Sequence, residues 1–527
     1  MADPFYLTTA INYPNGRPHI GHAYEAIAAD VIARFQRWMG REVRFQTGTD
    51  EHGLKMARKA AEQGVAPRAL ADEMSGYFRA MDDALNIGFD RFIRTVEPEH
   101  HRASQALWEA MAAAGDLYLD RYEGWYSVRD EAYYDETELS GEGEARLSPQ
   151  GTPVEWTVEE SWFFRLSKYQ GRLLELLRSP GFCEPESRRN EMIAFVSGGL
   201  KDLSVSRTSF DWGVKVPGAE GHVMYVWVDA LTNYLTGLGY PDDTPEWRKF
   251  WPASLHLVGK DIVRFHTVYW PAFLMSAGLP VPKQVFGHGF ILNRGRKESK
   301  TEGNVTDPME LAERFGVDNL RYFLMREVAF GQDGSYSAEA IVNRCNAELA
   351  NSFGNLVQRV AGFIAKNLDG ELPLVSSDAE MPKVDREFLG AVEMHLGQYL
   401  IEMDLLNLDR GLQEWMRGVF AANAYVDAQA PWTLRKTNPD RMREVLSVLC
   451  GAIHDLALAI YPVTPGSSER VLNLFGDREE RSFRLNSNRL WHIWSLRWLA
   501  DAHARGHRIE PPTPVFPRLE LPETEEA

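Results

Sequence analysis

The chain has 527 residues, 44% of them hydrophobic and 11% aromatic, which is too long for one compact core and apolar enough for two to four domains. A formal net charge of −18 excludes indiscriminate nucleic-acid binding, although a local basic face can still meet RNA. Three scattered cysteines, Cys183, Cys345 and Cys450, exclude a disulfide framework or a Cys-x-x-Cys zinc knuckle. No apolar run reaches membrane-spanning length. The start Met1-Ala2-Asp3-Pro4 shows no secretory signal, so a cytoplasmic location is expected.

Phe5-Tyr6-Leu7-Thr8-Thr9-Ala10-Ile11 is rich in β-formers and predicts a first strand. After a turn at Tyr13-Pro14-Asn15-Gly16, a helix is expected from Gly21 to Met39, with Ile27, Val31, Phe35 and Trp38 on one apolar face. Gly40 supplies its stop. Val43 to Gly48 predicts a second strand, completing a strand–helix–strand unit. From Gly115 to Arg207 the texture changes to short extended pieces rich in Tyr and Trp (Trp125 to Val128, Ala132 to Tyr134), with a Gly/Glu/Ser/Pro-rich passage from Glu138 to Pro153. This stretch reads as an insertion. The α/β pattern resumes with Met224 to Ala230 and His256 to Gly259. From about Ala338 to Ala504 the periodicity is helical almost throughout. Pro511 to Pro517 cannot be helix and is either a disordered tail or an extended strap.

The expected class is therefore α/β with a parallel sheet, followed by an all-α bundle. Residues 1–114 and 208–290 form the two halves of the sheet domain, 115–207 the insertion, 291–337 a linking segment, 338–510 the bundle and 511–527 the tail.

Two elements carry chemistry. His19-Ile20-Gly21-His22 lies where the first strand turns into a helix, so free backbone N–H groups and the positive helix end form an anion site. Gly21 lets a purine or phosphate approach the backbone, and two imidazoles can donate to phosphate oxygens. Alone, this tetrapeptide is as readily a pair of ordinary surface or core histidines. The second element, Gly295 to Asn304, places Lys297 and Lys300 three apart between glycines. Such a cationic loop can close over a triphosphate and neutralise leaving pyrophosphate, although most charged loops are simply solvated. The pair, in this order and at this separation, is far more specific than either part.

Together they resemble the class I aminoacyl-tRNA synthetases. His19-Ile20-Gly21-His22 matches the family's HIGH motif. Lys297-Glu298-Ser299-Lys300-Thr301 matches its Lys-Met-Ser-Lys-Ser motif, with Glu298 for Met and Thr301 for Ser. Both lysines are kept, while Glu298 offsets part of the loop's field. The resemblance implies a Rossmann-type catalytic domain. It also implies ATP binding by His19, Gly21, His22, Asp261, Lys297, Ser299 and Lys300, with Mg²⁺ on the ATP phosphates and catalysis by His19, His22, Lys297 and Lys300.

Further blocks resemble the methionyl-tRNA synthetases, from about Phe5 to the tail: Ala10-Ile11-Asn12-Tyr13, Gly48-Thr49-Asp50-Glu51-His52-Gly53, Tyr225 to Tyr234, Gly259-Lys260-Asp261-Ile262, Phe265-His266 and Tyr269-Trp270-Pro271-Ala272. A flexible thioether substrate wants an aromatic and aliphatic cavity. By resemblance, Ile11, Tyr13, Trp227, Ala230, Leu231, Tyr234, Ile262 and His266 line it, with Phe265 and Trp270 packed behind. Tyr13, Tyr234 or His266 could offer the sulfur a hydrogen bond, and Asp50 would meet the substrate ammonium. Taken singly, Trp227 and Trp270 would read as core.

The insertion is too short for the separate editing domain of the Leu, Ile and Val enzymes, and the cysteines expected of a Cys enzyme are missing. With only Cys183 in the insertion, no metal ligands and no zinc are expected. Aromatic packing by Tyr122, Trp125, Tyr126 and Tyr133 would replace a metal staple.

In the helical region, Asn351 to Arg359 resembles the family's anticodon helix. Asn355 and Arg359 share a face, and Trp432 resembles its base-stacking residue. Without the resemblance, Asn355 would read as surface and Trp432 as core. Arg435, Lys436, Arg441 and Arg443 are expected to help hold phosphates. The resemblance implies methionine, ATP and initiator or elongator tRNA(Met) as partners, no membrane, and a monomer. Two rivals from other classes are a small-molecule nucleotidyltransferase sharing the HxGH element and a non-catalytic RNA-binding paralogue. The helical Asn/Arg/Trp set argues against the first, and the intact histidines and lysines against the second.

Overall fold

Short β-rich runs alternating with amphipathic helices build a six-stranded parallel sheet. The computed structural model describes residues 3–129, 132–141, 146–293, 295, 306–374, 381–477 and 499–521. The chain divides into two units. One comprises Met1–Ala29, Glu42–Asp83 and Ile87–His288, and the other Asp30–Arg41, Ala84–Asn86 and Gly289–Ala527.

In the first unit the strands are β1 (Phe5–Thr9), β2 (Val43–Thr49), β3 (Arg91–Arg94), β4 (Leu117–Ser127), β5 (Ala132–Tyr134), β6 (Glu155–Phe164), β7 (Cys183–Glu184), β8 (Leu203–Ser204), β9 (Ser206–Arg207), β10 (Val223–Met224), β11 (Leu255–Gly259) and β12 (Val285–His288). The central sheet has the order β3-β2-β1-β11-β12-β7, every pair parallel. Phe5 pairs with Val43 and Leu7 with Leu255. All of β1 is buried, as a strand covered on both faces must be. Its two threonines are satisfied by Thr47 and His256. Gly48 in β2 is a steric requirement, since a Cβ there would stand 2.0 Å from the carbonyl oxygen of Ile93 on β3.

Strand order reverses direction between β1 and β11. In an open parallel sheet, ligands bind beyond the carboxyl ends of the strands at such a switch point. The core beneath it includes Tyr6, Leu107, Trp108, Phe164, Trp270 and Val285.

Three sequence expectations shift in detail. The first helix is Ile20–Trp38, with Ile27, Val31, Phe35 and Trp38 all buried. Met224 to Ala230, where the α/β pattern was expected to resume, joins the end of β10 at Met224 to the helix Val226–Thr236. Its burial on nearly all sides erases the amphipathic pattern that would have separated helix from strand. Within the segment read as an insertion, a four-stranded antiparallel sheet, β5-β4-β6-β8, does form. Yet Cys183–Glu184 leaves that segment to pair with β12 at the edge of the central sheet.

Trp125 packs edge-on against Trp156 at 5.3 Å, under the Arg146 guanidinium, and Arg207 covers the buried ring of Tyr126. The side chains of Tyr122 and Tyr133 lie outside the described residues.

In the second unit, β13 (Ile291–Asn293) pairs in parallel with β14 (Gly334–Tyr336). Helices follow, the longest being Lys383–Asp404, Leu408–Gln429 and Pro439–Ile460. Trp415 is buried at their centre and its indole donates to the Leu456 carbonyl at 2.9 Å. The C-terminal segment is a strap. Ile509 N–H donates to Gly370 O, Arg470 donates to Val515 O, and the Asn346 amide exchanges two hydrogen bonds with the backbone of Leu519. Val515 and Phe516 are buried.

Candidate active site and RNA-binding face

The carboxyl ends of β1 and β2 are stitched together beyond the last strand residues. Asn12 N–H donates to Gly48 O at 2.8 Å and Asp50 N–H to Asn12 O at 2.9 Å. This fixes Ile11 and Tyr13 on one side and the largely buried Asp50 on the other, at the switch point.

The HIGH segment caps its own helix. Nδ1 of His19 accepts from Gly21 N–H and Nδ1 of His22 accepts from His19 N–H, each at 3.1 Å. These bonds satisfy donors that a helix start leaves open and put the ring proton of both imidazoles on Nε2. The rings stand 3.8 Å apart between centroids, so two N–H donors are held side by side. A Cβ at Gly21 would crowd the His19 ring at 2.9 Å. Glu25, on the same helix, pairs with His288 at 2.7 Å. Asp261, exposed after β11, folds its carboxylate back over Gly259. Lys297, Ser299 and Lys300 lie outside the described residues.

Several of the residues expected at a thioether cavity pack together. Trp227 stacks on Phe265 with centroids 3.7 Å apart and planes 9° from parallel, and Trp270 is fully buried behind Tyr234. Ala230, Leu231 and Tyr234 sit on the Val226–Thr236 helix. Ile262 ends a turn after β11, and His266 lies in the π-helical segment Phe265–Tyr269. Wide π turns recur where a helix must re-aim a functional side chain.

The hydrogen bonds correct one expectation. His266 Nδ1–H donates to the Ile262 carbonyl at 2.9 Å, which leaves Nε2 to accept from the Tyr234 hydroxyl at 2.6 Å. Tyr13 OH donates to His52 O. All three groups expected to reach the sulfur are thus engaged within the protein, because a buried donor is costly unless partnered. The indole N–H of Trp227, buried with no acceptor among the described residues, is a donor the sequence reading did not consider.

A buried relay was also missed. Asp229 takes His52 Nδ1 at 2.6 Å on one oxygen and His100 Nε2 at 2.7 Å on the other. Burial pushes its carboxyl up, but the two imidazoles outweigh that and hold it well below the usual carboxylate range. The relay ties the loop carrying Asp50 to the helix carrying Trp227. Its sequence signal was a lone acid in the apolar run Val226 to Leu231.

Burial pushes His266 and His101 down to about 4 and His256 well below its ordinary value, with neighbouring His52 adding to the effect at His101 and His266 at His256. A ring whose folded-state pKa is depressed binds its proton more readily once unfolded. Its stabilisation is complete above the ordinary 6.5 and is lost as pH falls from there through 4. The melting midpoint is expected to drop across that window when followed by circular dichroism. A midpoint that stays level or rises would show that these rings are charged in the fold.

On the helical unit, Asn355 is exposed, and Arg359 places its guanidinium 5.2 Å over the Trp432 ring while pairing with Asp427. Trp432 is 44% exposed and so is a surface platform, not core. Ala430 takes a left-handed turn, φ 42°, immediately before Pro431 opens the short helix that carries it. Arg441 does not match the expectation of a phosphate contact. It is bound to the buried carboxylate of Asp385 at 2.5 and 2.6 Å and to Glu444 and Gln429, a pairing that a buried acid requires. Arg435 contacts Asn367, while Lys436 and Arg443 are exposed.

Comparison with known proteins agrees with this geometry. Residues 5–361 match the family model described as tRNA synthetases class I (M), and residues 375–526 match that of the anticodon binding domain of methionyl tRNA ligase. Methionine–tRNA ligases of Brucella suis and Rhizobium meliloti are 54% and 53% identical, covering 98% and 99% of both chains. The structure of Mycobacterium tuberculosis methionyl-tRNA synthetase in complex with methionyl-adenylate superimposes with a TM-score of 0.89 at 51% identity, over 98% of this chain and 100% of that one. The free form of the same synthetase gives 0.83 at 48% identity, over 99% of each. A parallel sheet whose strand order reverses between β1 and β11, a HIGH segment at the turn into the first helix and similarity of this degree over nearly the whole chain lead to one family, and the chain belongs to the methionine–tRNA ligases, class I tRNA synthetases.

Proposed function

We propose that both steps of methionine–tRNA ligation take place at the residues of the sheet edge, while those of the helical face hold the tRNA. Methionine and ATP are the substrates and tRNA is the partner. The observation that carries the reading is the pair of Nε2–H donors fixed at the switch point by backbone bonds to His19 and His22.

In the first step a methionine carboxylate oxygen attacks the α-phosphorus of ATP. The bond to the β-phosphate breaks, giving methionyl-adenylate and pyrophosphate. His19 and His22 donate to phosphate oxygens as charge builds, and Gly21 admits the nucleotide to the helix end. Lys297, Ser299 and Lys300 close on the leaving pyrophosphate, and Asp261 orients the nucleotide. Asp50 receives the ammonium. Ile11, Tyr13, Trp227, Ala230, Leu231, Tyr234, Ile262, Phe265 and His266 enclose the side chain. In the second step a 3′-terminal ribose hydroxyl of the tRNA attacks the adenylate carbonyl and AMP leaves. No protein nucleophile takes part, and the rate comes from positioning and charge stabilisation. Asn355, Arg359 and Trp432 hold the anticodon. Mg²⁺ comes with ATP, bound to its phosphates as is usual for this ion.

Pyrophosphate exchange into ATP tests the reading. Exchange is expected with methionine and not with leucine, isoleucine, valine or cysteine. Exchange that ignores methionine would overturn it.

We also infer a zinc-free, monomeric protein of the cytoplasm. Among the described residues no helix is long and apolar enough to cross a membrane, and no group of three or more His, Cys, Asp or Glu converges as metal ligands. Cys183 is buried in β7 at the edge of the central sheet. Purified protein is expected to hold no stoichiometric zinc and to keep its activity after strong chelation once Mg²⁺ is restored. One zinc per chain, lost together with activity, would refute this.

A further inference from the structure

Asp229 is fully buried in the first turn of the helix Val226–Thr236, where its companions are Val226, Trp227 and Val228. It accepts from His52 Nδ1–H at 2.6 Å on one oxygen and from His100 Nε2–H at 2.7 Å on the other. A carboxylate can only accept, so the hydrogens sit on those two nitrogens. His100 also reaches the last turn of the same helix, with Nδ1 3.0 Å from Thr236 Oγ1. A buried ionic group gains little stability over apolar packing of the same shape, because desolvation consumes most of the Coulombic gain. Holding a geometry is the task that such a group suits.

One end of the relay is the loop after β2. Asp50 and His52 flank Glu51, and Glu51 is locked. It is fully buried, takes Arg94 on both carboxylate oxygens at 2.7 Å, and its carbonyl accepts from the Trp212 indole at 2.7 Å. The other end is the helix that carries Trp227, Ala230, Leu231 and Tyr234. Toward its C-terminus this helix is tied to β2 itself, by Gln46 Nε2–H to Asn233 Oδ1 at 2.8 Å and by Arg44 to Gly237 O at 3.2 Å. Polar ties at one end only would let the first turn swing, and Asp229 pins that turn to the loop. Trp227 lies two residues before Asp229, about 200° round the helix. A rotation released at Asp229 therefore displaces the indole on the far side.

We propose that Asp229, held by His52 and His100, is a positioning residue for methionine: it sets the interval between the Asp50 carboxylate that meets the ammonium and the Trp227 face that meets the thioether. This rests on the roles proposed for Asp50 and Trp227. Both ends of one substrate are bound together because the spacing of their receptors is fixed before methionine arrives. Neither His19 nor His22 belongs to the relay, so the nucleotide does not depend on it.

The test uses the full chain and deletes one end of the ligand. Methioninol, which keeps ammonium and thioether, and its desamino analogue, which lacks only the amine, are compared as inhibitors of methionine-dependent pyrophosphate exchange. In the parent, loss of the amine is expected to raise Ki roughly ten- to a hundredfold, the scale of a buried charged hydrogen bond. Asp229→Asn keeps the shape but cannot accept from both imidazoles. In it the Ki ratio should fall toward unity, KM for methionine should rise roughly ten- to a hundredfold, as when a supporting hydrogen-bond shell is lost, and KM for ATP should stay within about twofold. His100 gives an independent pair. His100→Gln puts an amide N–H in place of Nε2–H and should keep the parent ratio, whereas His100→Leu removes the donor and should lower it.

A parent-like ratio in folded Asp229→Asn and His100→Leu would overturn the positioning role. Equal losses in His100→Gln and His100→Leu, or loss of the fold in both Asp229→Asn and His100→Leu by circular dichroism, would assign the relay to packing and overturn it too. Asp50→Asn separates the two levels. If it abolishes the amine ratio while the relay variants keep it, only the role of the relay falls. If it leaves the ratio at the parent value, the ammonium role of Asp50 falls, and the relay's role with it.

Discussion

Replacing Lys300 by alanine is expected to slow methionyl-adenylate formation at least about a hundredfold, the scale of removing one positioned charge stabiliser from a transition state. The lysine meets charge that develops on the leaving pyrophosphate, an interaction absent while methionine merely sits in its cavity. Methionine affinity in equilibrium dialysis should therefore barely change, whereas pyrophosphate exchange should fall. The loop starts beyond β13, where Gly295 takes a left-handed conformation, φ 80°, and donates its N–H to Ser335 Oγ at 2.9 Å. This bond fixes Gly295, which precedes the two lysines in sequence, against β14. Near-normal exchange in the variant would sink the role given to the loop. A loss confined to methionine affinity would move Lys300 from the leaving group to the amino-acid site.

What could be read from the residues alone follows from how local each signal is. β1, the Ile20–Trp38 helix and β2 were legible because strand propensity, a 3.6-residue period and a glycine stop coincide within fifty residues. The HIGH segment was legible because its place, at a strand-to-helix turn, is part of its meaning. Cys183–Glu184 was not legible as a sheet strand, since two residues carry no period and their partner, β12, lies about a hundred residues on. The relay of His52, Asp229 and His100 was hidden for the same reason. Its members come from three distant segments, and nothing in the sequence near His100 marks it as buried.

Arg441 shows the opposite error. A basic residue near a presumed RNA face looked free, and only the fold brings the buried Asp385 to it. The expected sulfur donors met a count the sequence cannot make: in Tyr13, Tyr234 and His266 each hydrogen already has an acceptor within the protein.

Trp432→Ala is expected to cut charging of tRNA by roughly ten- to a hundredfold, the loss of one base stacked on an indole, about 1–3 kcal/mol. Pyrophosphate exchange without tRNA should stay close to the parent value, because Trp432 belongs to the helical unit while the HIGH segment and Asp50 belong to the sheet unit. The sequence left two accounts of this residue, and they differ in stability. A buried indole removed from a bundle leaves a cavity that costs about 3–5 kcal/mol. An indole that is 44% exposed under the Arg359 guanidinium gives up little packing when truncated. The melting midpoint of the variant is therefore expected to stay within the scatter of the parent. Loss of charging with that midpoint kept supports a stacking platform. A large drop in midpoint would mean that the ring holds the bundle together, and the assignment of Trp432 to the anticodon would be withdrawn.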